Sequence, residues 1–312
     1  PIKLSKFTLL VGPNNSGKSS VLEALFLAPL PWRIYKQWPF DREHTALPKE
    51  MILQNLHGRS ESFIYRYAGT ASIDYVIEGK RVNLRIDPNW VFHVSVDGVD
   101  AGSGEYIVDI FRGRHDEVRF IKELVNYAAF VPNSDWFLRT LASGLVGSWS
   151  EVEKTGAHVR LVRNFISKVV EDKFTEAVIR FNELMVRKEL PDDVAYVNIR
   201  DIGDGIEKFL GIGLWLETLK PKVVLWDDFE ASAHPSLIEA IINWLAEHDW
   251  QVIASTHSID VLQELVVAEL EEAKVTQLRK SWDDMLSYKD IPLEELQRLF
   301  DSGQDVRKLM RW

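Results

Sequence analysis

Residues Gly12-Pro13-Asn14-Asn15-Ser16-Gly17-Lys18-Ser19 fit the pattern G-x-x-x-x-G-K-[ST] without a gap, and nothing else in the chain restricts its fold so strongly. The pattern works only where a strand runs through a glycine turn into a helix. Its flanks supply both: Phe7 to Val11 is an apolar run of strand length, and Ser20 to Phe26 has helical composition. In that setting loop N–H groups and the positive end of the helix face phosphate. Lys18 is expected to span the terminal phosphates and the Ser19 hydroxyl to ligate Mg2+. Gly12 serves the tight turn and Gly17 the close backbone approach. Gly12, Pro13, Asn14, Asn15, Ser16, Gly17, Lys18, Ser19 and Ser20 are therefore the expected triphosphate contacts.

The rest of the chain is consistent with such a core. At 312 residues, with 46% hydrophobic and 27% charged residues, it is long enough and apolar enough for a large α/β domain. No apolar run reaches the length of a membrane span. Pro1-Ile2-Lys3-Leu4 leads directly into the first strand without a charged-then-apolar leader, so a cytoplasmic location is expected. Zero cysteines remove disulfides, thiolate catalysis and Cys-ligated zinc. A net charge of −10 argues against a surface given over wholly to nucleic acid. The 11 tryptophans are read as mostly core or interface aromatics.

Prolines 29 and 31 end the first helix, and a second helix is expected near Lys49 to Leu56, stopping at Gly58. Four runs, 63–67, 72–77, 81–86 and 91–96, alternate between turn signals and read as an antiparallel meander. It is taken as a covering layer in preference to a platform for the nucleotide base. From Asp116 to Glu189 helices are expected, broken by a buried strand at Ala128 to Val131 and by the glycine-containing stretch Ser143 to Ser148. Val159 to Lys188 reads as one long amphipathic helix with mixed ion pairs. Strands at 194–199, 223–226 and 251–255 alternate with helices at 204–219 and 236–247, which implies parallel order with ligands at the strand carboxyl ends. The tail reads as a helix from Ile259, a short strand at Val275 to Leu278, and helices near 293–300 and 305–310.

Val223-Val224-Leu225-Trp226 ends in Asp227-Asp228, so two carboxylates emerge where a core strand meets the phosphate end of the sheet. Asp227 is expected to hold Mg2+, directly or through water, and Asp228 to orient or deprotonate the attacking water. Taken alone, His257 after its apolar strand is equally a structural histidine or a site residue.

Three segments together, Gly12 to Ser19, Asp227-Asp228-Phe229-Glu230-Ala231-Ser232-Ala233-His234-Pro235, and Ser255-Thr256-His257-Ser258, resemble the ABC-type ATPases of the RecF, SMC and OLD group. The second motif of that group usually reads D-E-P-E-x-x-L-H-P, and the third T-H-S. The resemblance implies catalytic roles for Asp228, Glu230 and His257, with His257 as the switch histidine at the γ-phosphate. Ala231 to His234 resemble the loop that crosses between subunits. Asp201 to Lys208 resemble the signature segment that a second subunit presents to the nucleotide, through Gly203, Asp204 and Gly205. Asp204 stands where better-known forms have serine, and is read either as a helix N-cap or as a phosphate-facing residue. Asp228 is one methylene shorter than the family's glutamate. Pro132-Asn133-Ser134 is only a positional match to the glutamine loop.

The implied fold is α/β: a P-loop NTPase of ABC-ATPase type with a mainly parallel sheet, an antiparallel β subdomain and a helical insertion. A single domain, 1–312, is expected, its nucleotide core at 1–30 and 190–260. The β subdomain falls at 60–111, the helical insertion at 113–189 and a C-terminal helical segment at 261–312. The implied activity is Mg2+-dependent ATP hydrolysis by a homodimer formed around ATP, serving DNA maintenance or defence. DNA, or a separate nuclease or effector subunit, is the further partner; no membrane is involved. A nucleotide-gated scaffold and a transporter-coupled ATPase are the alternatives, with a small-molecule kinase behind them.

Overall fold

The computed structural model describes residues 1–28, 49–58, 64, 68–77, 79–87, 91–102 and 127–307. In chain order, β1 (Phe7–Val11) leads into α1 (Lys18–Leu27), and α2 (Lys49–His57) is followed by β2 (Ala71–Ile77), β3 (Lys80–Ile86), β4 (Phe92–Val96) and β5 (Val99–Gly102). Next come β6 (Ala128–Val131), α3 (Asp135–Gly147), α4 (Trp149–Thr155) and α5 (Ala157–Leu161), the last running on through a π-turn at Val162–Ile166. The third group is β7 (Phe174–Arg180), β8 (Glu183–Glu189) and β9 (Val194–Asn198). The chain then alternates through α6 (Asp204–Leu219), β10 (Val223–Trp226), α7 (Pro235–Glu247), β11 (Gln251–Ser255) and α8 (Ile259–Val267). It closes with β12 (Ala273–Lys280), β13 (Leu286–Pro292) and α9 (Leu293–Asp301).

The chain packs as two compact units: Pro1–Leu22 with Phe130–Trp312, and Glu23–Ala129. The first is built on a six-stranded sheet of order β13-β12-β1-β11-β10-β6. β12, β1, β11 and β10 are mutually parallel, and β13 pairs antiparallel at the edge. All five residues of β1 are buried, as are four of five in β11, because helices cover both faces of such a sheet. α7 lays Leu237, Ile238, Ile241, Ile242 and Leu245 into the core. Each such side chain contributes roughly 1.5–3 kcal/mol on burial.

Aromatic contacts fix α6 in place. Phe209 stacks on Phe165 at 3.9 Å and meets Trp244 edge-on at 5.2 Å, while Trp215 meets Phe137 edge-on at 5.6 Å. Lower on α6, Glu217 accepts hydrogen bonds from Arg160 at 2.5 Å and from the Trp244 indole at 3.3 Å, with His248 Nε2 at 3.5 Å. Burial pushes this carboxyl up, but its partners outweigh burial and hold it at about 2. Trp215, Trp226, Trp244 and Trp250 are all buried, as the composition suggests.

The second unit carries the four-stranded antiparallel sheet β2-β3-β4-β5. Val82, Leu84 and Ile86 alternate inward on β3, and Phe92, Val94 and Val96 on β4. Tyr75 donates its hydroxyl to the Ala24 carbonyl at 2.6 Å, and His57 pairs with Glu23 at 2.9 Å. The expected strand at 63–67 lies outside the described residues except for Ile64, as do residues 113–126 of the expected insertion and residues 308–310 of the expected last helix, whose described part, 305–307, is not helical.

Three expectations are corrected. The break expected across Ser143 to Ser148 is confined to Ser148: α3 runs through to Gly147, with Phe137, Leu141 and Leu145 as its buried stripe, and α4 starts at Trp149. Val159 to Lys188, within the expected helical insertion at 113–189, is not one helix. Its second half is the β7–β8 hairpin, which joins β9 in a three-stranded antiparallel sheet. The charges that suggested helix-face pairs serve that hairpin instead: Lys188 meets Asp172 at 2.5 Å, and Arg187 meets Glu189 at 3.1 Å and Glu176 at 4.0 Å. In the tail the strand expected at Val275 to Leu278 is part of the longer β12, and β13 is a further strand that the sequence reading does not contain.

Candidate functional site

Beyond β1 the backbone enters a turn open only to glycine. Gly12 has φ +152°, and a Cβ there would lie 2.4 Å from the Leu278 carbonyl oxygen and 2.6 Å from Ser16 Oγ. Gly17 has φ +88°. The loop closes with Ser16 N–H donating to the Pro13 carbonyl at 3.2 Å. Pro13, Asn14 and Asn15 form its exposed rim, and Ser19 and Ser20 lie exposed on the first turn of α1. That turn contains no acidic residue, so the positive end of the helix is not neutralised locally.

Lys18 is buried and donates to the carbonyls of Gly12 at 3.1 Å and Pro13 at 3.3 Å. Burial holds its ammonium below the usual lysine range, against the pull of Asp228, Asp227 and Glu230. The lysine thus lies among three carboxylates on weak neutral acceptors, which an anionic phosphate would outcompete.

The acids arrive from the neighbouring strands. β10 ends in Asp227, whose N–H donates to the Val131 carbonyl at 2.9 Å. Ser19 Oγ donates to Asp227 Oδ2 at 2.9 Å, across 208 positions of sequence. Ser255, at the end of β11, donates to Asp227 Oδ1 at 2.5 Å and accepts the Asp228 N–H at 2.8 Å. Burial is the leading reason that the Asp227 carboxyl is raised above its usual range; the Ser255 and Ser19 hydrogen bonds oppose it.

Asp228 has φ +46°, a left-handed conformation that is uncommon outside glycine. Its carboxylate lies 3.4 Å from Asn133 Nδ2 and 3.9 Å from His257 Nε2. Glu230 spends its hydrogen bonds elsewhere. Its Oε1 accepts the backbone N–H groups of His257 at 2.8 Å and Ser258 at 3.1 Å. Arg307 holds the other side of the same turn, donating to the His257 carbonyl at 2.7 Å. The His257 backbone is thus clamped from both directions while its ring stays exposed toward Asp228.

The Gly203-Asp204-Gly205 segment lies elsewhere on this unit. Gly203, at φ +137°, is the N-cap of α6, and Asp204 is the first helical residue; the N-cap alternative for Asp204 is corrected. A Cβ on Gly205 would lie 2.5 Å from the Ser232 carbonyl oxygen, so α6 starts against the loop after Asp228. Asp204 lines a cavity of about 710 Å3 with Asn133, Arg139, Glu207, Lys208 and Ser232, and no phosphate-loop residue lines it.

The site suits a Mg2+–triphosphate group. Ser16 Oγ and Glu230 Oε2 are buried without hydrogen-bond partners. One carboxylate and one hydroxyl, Asp227 and Ser19, form the sparse donor set that Mg2+ uses together with substrate phosphates. Sequence reasoning did not single out Ser255, although a serine ending an apolar strand beside an acid-tipped one is a readable signal. Arg307 carried none.

Residues 105–263 match the family described as "AAA domain, putative AbiEii toxin, Type IV TA system". No curated protein matches the chain. Among solved structures, the Smc head bound to the C-winged helix domain of ScpA aligns with TM-score 0.61 and 16% identity, over 95% of this chain and 94% of that one. The Smc head with an extended coiled coil, bound to the C-terminal domain of ScpA and derived from Pyrococcus furiosus, gives 0.59 and 12%, over 97% and 94%. The SMC head domain from Thermotoga maritima gives 0.51 and 16%, over 93% and 92%. With the family model covering half of the chain, this protein belongs to that AAA domain family, and its fold is the one found in the Smc heads.

Proposed function

We propose that the chain binds and hydrolyses ATP with Mg2+, and that two copies close around two nucleotides. The observation that carries this reading is the 2.9 Å hydrogen bond from Ser19 Oγ to Asp227 Oδ2, which brings together the hydroxyl and the carboxylate that would hold Mg2+. Mg2+, when bound with the triphosphate, neutralises charge on the terminal phosphates. Lys18 leaves the Gly12 and Pro13 carbonyls to donate to the β- and γ-phosphates, while Ser19 and Asp227 hold the metal. Asp228 orients the attacking water and accepts its proton, and the His257 ring faces the γ-phosphate. Glu230 acts by positioning the His257 turn through its backbone.

In this reading the Gly203–Gly205 backbone at the start of α6 serves the second copy's nucleotide. DNA, or a separate nuclease or effector subunit, is the further partner in this reading; similar solved heads are bound to domains of ScpA. A cytoplasmic setting belongs to the same proposal. Among the described residues no helix is long and apolar enough to cross a membrane.

One observation favours a second reading, a nucleotide-gated scaffold with little hydrolysis. The short Asp228 side chain is already within 3.4 Å of both Asn133 Nδ2 and Ser255 Oγ. Phosphate release by the native chain and by Asp228→Asn separates the two. A fall in the variant supports the ATPase, whereas equal and negligible rates support the scaffold. Sedimentation of Asp228→Asn with and without Mg-ATP, repeated with duplex and single-stranded DNA, tests the dimer and the DNA partner.

A further inference from the structure

We infer that the β12–β13 hairpin is the platform for the nucleoside end of the bound nucleotide, with Trp282 stacking on the base and Leu286 packing beside the sugar. This rests on the ATP reading of the phosphate loop and names a subsite of it. The sheet order supplies the direction. Asp227, Asp228, His257 and Asn133 follow β10, β11 and β6, all on one side of β1, while β12 and β13 lie on the other. A triphosphate whose γ-end lies among the acids and the histidine therefore points its nucleoside toward the hairpin.

The hairpin reaches the loop that holds the phosphates. Leu278 O lies 2.4 Å from the place of a Cβ on Gly12, and Leu286 Cδ1 lies 3.2 Å from the place of one on Gly17. Lys280 pairs with Leu286, so the five residues 281–285 form the tip. Trp282 lies two residues past Lys280, the partner of Leu286, so at most about 7 Å beyond that pair at ~3.3 Å per residue, within reach of a base whose phosphates lie on Gly17.

The tip is ordered, yet its apolar side chains face water. Ser281 N–H donates to the Met285 carbonyl at 2.9 Å, Asp284 N–H donates to the Ser281 carbonyl at 3.0 Å, and Lys280 pairs with Asp284 at 2.6 Å. Trp282 is 97% exposed and Met285 67%. Four other tryptophans of this unit are buried, so an indole held out on a fixed turn beside a phosphate loop calls for an occupant. A flat aromatic and aliphatic surface accepts any base by its π-face, so ATP and GTP are expected to bind within a few-fold of each other.

The test uses the full chain at concentrations where it sediments as a single copy, with Mg-ATP and inorganic tripolyphosphate as probes. Trp282→Ala is expected to weaken ATP binding about ten-fold and leave tripolyphosphate unchanged. ATP should quench indole fluorescence in the native chain but not in Trp282→Phe, which retains a stacking ring. Because Trp282 is so exposed, its truncation removes no packing; Leu286→Ala is the second variant, with a smaller loss confined to ATP. Unchanged ATP affinity in both variants, equal losses for the two probes, or a change only in ATP-dependent sedimentation overturns the inference. A native chain that binds neither probe overturns the ATP reading itself.

Discussion

Two glycine turns open helices in the first unit, and they are charged in opposite ways. The Gly12–Ser19 turn leads into α1, whose first turn carries no acid and whose lysine is held among three carboxylates. The Gly203–Gly205 turn leads into α6, whose first turn carries Asp204 and Glu207. A helix N-terminus attracts anions, so α6 partly satisfies its own dipole whereas α1 leaves that role to a ligand. The difference teaches that the α1 turn leaves its positive end open to an anion, while the α6 turn carries its own counter-charge.

The largest effect expected from breaking this contrast lies at Lys18. Lys18→Ala removes the one cation buried in the first turn and should weaken Mg-ATP binding more than about 100-fold by calorimetry. Replacing Asp228 comes next. Asp228→Asn should lower phosphate release about 100-fold while leaving ATP affinity within a few-fold, since a positioned base acts on the chemical step.

The metal-dependent part of binding should then respond to pH through Asp227. Its carboxyl is raised in the fold, so it becomes neutral at a higher pH than an ordinary carboxylate. Mg2+-dependent affinity is present above that point and is lost as pH falls through it. The opposite sign applies to stability: the nucleotide-free fold favours the neutral form and gains stability as pH falls through the raised value, and Asp227→Asn should melt above the native chain at neutral pH. Scanning calorimetry and a pH series of Mg-ATP titrations check both. The smallest effect concerns the second turn. Asp204→Ser removes a like charge from the helix end, so ATP-dependent association should tighten about two- to five-fold in sedimentation.

What was legible in the sequence follows from how local each signal is. The phosphate loop is eight contiguous residues, and β1, β10 and β11 are apolar runs, so the core and Asp227 could be read directly. The β7–β8 hairpin was hidden because its turn, Phe181-Asn182, takes positive φ at both residues without a glycine to mark it. β13 was hidden because four of its seven residues in a row are exposed, leaving no alternation to read. Ser255 is readable only from its place at the end of an apolar strand, and Arg307 acts through a tertiary contact to the His257 carbonyl that no linear spacing encodes. Trp282 ran against the expectation from composition, because exposure at a hairpin tip is a property of position.

The central claim is that Ser19 and Asp227 act on one metal–phosphate group, and a double-mutant cycle on Mg-ATP affinity tests it most directly. Ser19→Ala, Asp227→Asn and the double variant are titrated with ATP in the presence and absence of Mg2+. The account predicts that each single change removes the Mg2+-dependent gain and that the double variant binds no worse than Asp227→Asn alone. Losses that add fully, or an Asp227→Asn chain that retains the whole Mg2+-dependent gain, would contradict it.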